Sequence, residues 1–130
     1  MKNINIGIKG SAEISVTEDT LAVNVGSGSL KVFATPIMTM LMEKAACNCI
    51  AQYLENDETT VGTEMNIKHI SASPEGMKII AAAEVIEITG REITFKVSAS
   101  DDKGLIGSGV HKRFLVYADK FMSKTISKLN

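Results

Sequence analysis

One stretch constrains the fold of this chain more than any other: Thr35 to Glu55, TPIMTMLMEKAACNCIAQYLE. It is the one long helical segment among short strand-like runs. Thr35 is a suitable N-cap, since its hydroxyl can accept a bond from a free backbone N–H of the first turn. Pro36 suits the first helical position, where its missing N–H costs nothing. At about 100° per residue, Lys44, Asn48, Gln52 and Glu55 gather on one narrow polar stripe. Met38, Leu41, Met42, Ala45, Ala46, Cys49, Ile50 and Tyr53 cover most of the remainder, as in a largely buried helix. Glu43 breaks the pattern, falling among Thr39, Ala46, Cys47, Ile50 and Leu54. A carboxylate there is costly unless it has partners or a task.

The chain around this helix has 130 residues, the size of one ordinary domain spanning residues 1–130, with 45% hydrophobic and 22% charged residues. A net charge of −1 gives no reason to expect a nucleic-acid or membrane-surface partner. No apolar run approaches the roughly 18 residues of a membrane span, and MKNINIGIKG has no signal-peptide hydrophobic region. Cys47 and Cys49 lie two apart on one helix, so their side chains diverge and a disulfide between them is not expected. Free thiols fit a cytoplasmic location. Cys-x-Cys without a second Cys/His cluster reads as core filler, and no metal site is expected.

Asn3 to Ile8 alternates through Ile4, Ile6 and Ile8, the pattern of a strand. Ala12 to Val16 and Leu21 to Val25 are short extended candidates around a turn at Thr17-Glu18-Asp19. Gly26-Ser27-Gly28-Ser29 is a flexible connection into the helix. It lacks the endings of a phosphate-binding or dinucleotide loop. After the helix, Thr60 to Ile70 reads as a strand with Val61, Thr63, Met65, Ile67 and His69 on one face and Glu64, Asn66 and Lys68 on the other. Met77 to Ile88, Glu92 to Ser100 and Leu105 to Tyr117 are three more strands. They are joined by turns at Thr89-Gly90-Arg91 and Asp101-Asp102-Lys103-Gly104. Ile93, Phe95, Val97 and Ala99 share one face of the middle strand. On the last, Ile106, Val110, Phe114 and Val116 lie opposite His111, Arg113 and Leu115. Ala118 to Leu129 closes the chain as an amphipathic helix.

Tight turns between consecutive long strands imply antiparallel neighbours. A curved antiparallel sheet wrapped around one central helix, with a C-terminal amphipathic helix, is an α+β arrangement, that of the hot-dog fold. The outer sheet face and its edges need cover, so at least a homodimer is expected, with pairing of dimers into tetramers left open.

Three polar residues could carry chemistry. Thr35 sits at the helix N-terminus, Glu43 two turns on, and His69 points with the apolar residues of its strand. Singly each has an ordinary reading: a cap, a structural carboxylate, a satisfied core histidine. Jointly, a carboxylate that holds a histidine, with a hydroxyl and helix N-terminal N–H groups nearby, can support acyl transfer.

From Leu21 to Ala118 the sequence resembles the fluoroacetyl-CoA thioesterase-like family of hot-dog acyl-CoA thioesterases. The resemblance is carried by V-F-A-T-P (Val32 to Pro36), Met42-Glu43, V-G-T (Val61 to Thr63), His69 followed by Ser71-Ala72-Ser73-Pro74, and G-x-H-x-R-F (Gly109 to Phe114). It implies hydrolysis of a small acyl-CoA thioester with Thr35, Glu43 and His69 as the catalytic set. Gly62 would offer a backbone N–H to the thioester carbonyl, and Arg113 would support the acyl or CoA end. Coenzyme A enters only as part of the substrate, with no other cofactor. Threonine or water could be the nucleophile. The fluoroacetyl-specific enzyme has a phenylalanine-bearing lid before the helix; this chain has Gly26-Ser27-Gly28-Ser29-Leu30, so fluoroacetyl selectivity is not carried over. Lys68 and Lys112 are candidates for CoA phosphates or plain surface charges. Two other readings are a non-catalytic acyl-CoA-binding module and an enoyl-CoA hydratase. The hydratase reading rests on the Glu64 and His69 spacing, but alternation puts those two residues on opposite faces and the hydratase Asn-Pro is absent.

Overall fold

A computed structural model describes residues 1–130. The elements are strand β1 (Lys9–Ser15), a single helical turn α1 (Ala22–Val25) and the long helix α2 (Thr35–Ile50), continued by a 3-10 turn at Ala51–Tyr53. Strands β2 (Glu58–His69), β3 (Lys78–Thr89), β4 (Glu92–Asp101) and β5 (Gly104–Tyr117) follow, then α3 (Ala118–Ile126). The strands form one antiparallel sheet in the order β1-β3-β4-β5-β2, with α2 across β1, β3 and β4. This is the curved sheet around a central helix that the sequence implies. No helix is long and apolar enough to cross a membrane.

The periodicity of α2 is realised as burial. Met38, Leu41, Met42, Ala45, Ala46, Cys49 and Ile50 are buried, while Tyr53, beyond the α-helical end, is only partly so. They meet Ile79, Ala81, Ala83 and Val85 of β3 and Ile93, Phe95, Val97 and Ala99 of β4, all at most 1% exposed. Both cysteines are free thiols. The helix comes closest to β1 at Gly10, where an added Cβ would lie 2.5 Å from the Cys49 backbone N and Cα. Both partners are backbone, so neither can swing aside. Gly10→Ala is expected to cost about 1–3 kcal/mol or more, as overpacking does, measured as a lower midpoint in denaturant unfolding.

Four local expectations are corrected. Residues 3–8 form no strand: Gly7 adopts φ +100°, which breaks the isoleucine alternation, and regular pairing begins at Lys9. Leu21 to Val25 is not extended. Ala22–Val25 is a helical turn closed by Gly26 at φ +78°, a left-handed cap that glycine takes without strain. Thr35 is not the N-cap. Ala34 takes that position and the start of α2 has no side-chain cap bond, leaving the Thr35 hydroxyl free for another partner.

The fourth correction is in β2, where register shifts between Gly62 and Glu64, so Thr63 is a bulged residue. Before it, Thr60 and Gly62 face inward; after it, Met65 and Ile67 pack on the core and His69 follows on the same side. Val61 and Thr63 therefore do not share a face with His69. On β5 the inward row is the one bearing His111, Arg113 and Leu115, and Phe114 is 39% exposed on the other side.

Candidate active site

The segment leading into α2 is fixed from both sides. The Phe33 N–H donates to the Ser73 carbonyl (2.8 Å) and the Ala34 N–H to the Thr20 carbonyl (2.9 Å). Ser73 is itself buried and donates its hydroxyl to Asp101 (2.7 Å), which, with the Lys103 N–H, holds that carboxyl below its usual range. Thr35 thus enters the helix at a set position, opposite the end of β2. Its Oγ1 lies 2.8 Å from His69 Nδ1. The other ring nitrogen of His69, Nε2, is buried without a partner.

Burial pushes His69 below the ordinary histidine range, and the neighbouring Ser71 backbone offsets only part of that. The neutral imidazole therefore persists to lower pH than in a free histidine. With its proton on Nε2, Nδ1 accepts the Thr35 hydroxyl, the arrangement a base needs to draw a proton from an alcohol. Thr35 and His69 line a cleft of about 270 Å³ whose walls include Val32, Phe33, Ile70 and Ala72, with Ala22 and Ser27 closing it from the α1 side.

A second group of polar residues lies elsewhere on the same chain. Eight residues of helix, at about 1.5 Å each, put Glu43 about 12 Å from Thr35 along the axis. Glu43 Oε2 is 3.5 Å from Arg113 Nη1; the Arg113 side chain is 8% exposed and that of Glu43 43%. The Arg113 Nε donates to Thr60 Oγ1 (2.8 Å) and Nη2 to the Thr60 carbonyl (3.0 Å). Its Nη1 also lies 3.2 Å from His111 Nε2.

Gly62 lies against this group. A Cβ there would fall 2.9 Å from Glu43 Oε2, 3.3 Å from Arg113 Nη1 and 3.4 Å from His111 Cε1. The glycine is required for space, since its φ is not among the left-handed ones.

Of the residues singled out by sequence, one protomer brings Thr35 to His69, and Glu43 to Gly62 and Arg113. It does not join the two sets: Glu43 makes no hydrogen bond to His69, and seven residues of β2, roughly 20 Å at about 3.3 Å each, separate Gly62 from His69. Lys112 pairs with Glu92 at 3.7 Å, and Lys68 is exposed. Sequence reasoning missed Thr60 and His111. For His111 a signal existed, because strand alternation puts it on the same face as Arg113.

Residues 16–119 match the family described as fluoroacetyl-CoA-specific thioesterase. The fluoroacetyl-CoA thioesterase of Streptantibioticus cattleyicolor is 39% identical over 98 residues, covering 75% of this chain and 70% of that protein. A threonine-to-serine mutant of the fluoroacetyl-CoA thioesterase FlK, solved in complex with acetyl-CoA, superposes with a TM-score of 0.92 at 30% identity, covering 98% of this chain and 100% of that one. A Thermus thermophilus hypothetical protein of the thioesterase superfamily superposes with a TM-score of 0.90 at 25% identity, covering 98% and 94%. The chain belongs to the family of fluoroacetyl-CoA-specific thioesterases, thioester hydrolases of the hot-dog fold.

Proposed function

We propose that this protein hydrolyses short acyl-CoA thioesters, at a site that takes Thr35 and His69 from one copy of the chain and Glu43 and Gly62 from another. The observation that carries the reading is the 2.8 Å contact between Thr35 Oγ1 and His69 Nδ1 at a small cleft of mixed polar and apolar lining. At about 270 Å³ the cleft is just below the usual range of ligand pockets, roughly 300–1,000 Å³. That size suits a short acyl group.

His69 draws the proton from the attacking oxygen as that oxygen adds to the thioester carbonyl, and Gly62 offers a backbone N–H to the developing oxyanion. Collapse of the tetrahedral intermediate breaks the carbon–sulfur bond, and the CoA sulfur leaves with the proton returned by His69. If the attacking oxygen is Thr35 Oγ1, an acyl ester forms and a water then hydrolyses it by the same two proton transfers. If it is water, the acid is released directly. Glu43 orients the imidazolium or the water. Coenzyme A is part of the substrate, and the chemistry calls for no other cofactor.

The sheet edge supports a homodimer. Strand β2 is terminal in the sheet and 12 residues long, an edge that calls for cover. Antiparallel self-pairing about a two-fold axis at Asn66 sets Met65 opposite Ile67 and, with Thr63 bulged out of the register, Gly62 opposite His69, each inward residue against an inward one. Glu43 and Gly62 of one copy then adjoin Thr35 and His69 of the other.

A series of acyl-CoAs assayed for free thiol tests the reaction. Release is expected to be fastest for acyl groups of about two to four carbons, the size this cleft suits. Tight binding of every acyl-CoA with no thiol released over hours would favour the non-catalytic binding module instead.

A further inference from the structure

The mechanism above leaves one buried imidazole unused. His111 is 1% exposed, stacked near the Phe95 ring (centroids 6.0 Å, interplanar angle 25°) and beside Gly62. Its neighbours fix its protonation. Nδ1 is 2.8 Å from the Glu64 carbonyl oxygen, which only accepts, so Nδ1 carries a proton. Nε2 is 3.2 Å from Arg113 Nη1, which only donates, so Nε2 carries none. The ring is the neutral Nδ1–H tautomer.

The groups facing His111 agree with that state. Burial is the largest influence and lowers its pKa, as does the Arg113 cation on its own strand; the Glu64 carbonyl of β2 and the Glu43 carboxylate of α2 pull the other way. From β4 the uncharged Phe95 lies opposite it.

Thr60 fixes two corners of the Arg113 guanidinium, Nε and Nη2. The third corner, Nη1, is the one that faces Glu43, and His111 is its hydrogen-bond acceptor. We propose that His111 is a positioning residue: it holds Arg113 Nη1 in place, and through it the Glu43 carboxylate beside Gly62. The proposal rests on the reading of Glu43 as a working member of the site.

The test compares His111→Gln with His111→Phe. Glutamine keeps an acceptor for Arg113 but does not titrate; phenylalanine keeps a ring against Phe95 and removes both bonds. His111→Phe is expected to lower kcat about 10–100-fold, the scale of one lost hydrogen bond to a charged group, with KM within about threefold. His111→Gln should stay within about threefold of wild type, and its acid limb should lose one of the two protons that His69 and His111 contribute to the wild-type profile. Adding His111→Phe to Glu43→Gln should slow the enzyme no further, because both act through one carboxylate.

Wild-type kcat in His111→Phe, or an unchanged acid limb in His111→Gln, would overturn the proposal. If His111→Phe does not fold, the acid limb of His111→Gln decides alone. A slow Glu43→Gln beside a fast His111→Phe sinks only this proposal, whereas a fully active Glu43→Gln sinks the site reading as well.

Discussion

Replacing His69 with alanine is expected to lower kcat/KM on a short acyl-CoA by about 10²–10⁴-fold, the range for loss of a positioned general base. The fold should survive the change. His69 Nε2 has no hydrogen-bond partner to orphan, and the Thr35 hydroxyl that loses its contact is on an exposed residue where water can replace it. Unfolding midpoints close to wild type, beside a collapsed rate of thiol release, would separate a chemical role from a structural one. The pH dependence has a definite sign. The base works when neutral, and burial holds the folded pKa of His69 below that of a free histidine, about 6.5. Activity is therefore full at neutral pH and falls as pH drops through the lowered values of His69 and His111. Thr35 sorts the two routes: serine in its place keeps a hydroxyl for either, whereas Thr35→Ala abolishes an acyl-threonine ester and leaves direct attack by water.

Much of the fold was legible because the helix and the middle strands are periodic over their full length. The apolar face assigned to α2 is buried residue for residue except Tyr53, and the inward row of β4 is the one the alternation picks out. Shorter segments misled. Three alternating isoleucines at residues 4–8 imitate a strand, but the positive φ of Gly7 interrupts it, and no composition signal marks that. The bulge at Thr63 was equally invisible. It shifts the phase of the strand, so that Met65, Ile67 and His69 face inward after it although Thr60 and Gly62 do so before it.

In the site, Glu43 was marked by its misplacement on an apolar face, while its surroundings were not. Arg113 and His111 reach it from a strand about seventy positions later, through pairing no local pattern encodes. Thr35 carried the opposite ambiguity: a sound cap by residue type, it is relieved of that duty by Ala34, and the freed hydroxyl meets His69.

The second large effect concerns the division of the site between two copies. Within one protomer Glu43 lies about 12 Å along the helix axis from Thr35 and makes no hydrogen bond to His69, so on the proposed reading neither group is complete alone. Glu43→Ala and His69→Ala should each be nearly inactive alone. A heterodimer of the two carries one site with both defects and one with neither. Mixed in equal amounts with subunit exchange, half the dimers are heterodimers, and thiol release should recover to about a quarter of the wild-type rate. Recovery to that level is the result this account predicts. Mixtures that exchange subunits yet stay as inactive as the separate variants would contradict it, and would place Glu43 and His69 in the same protomer's site or outside the reaction.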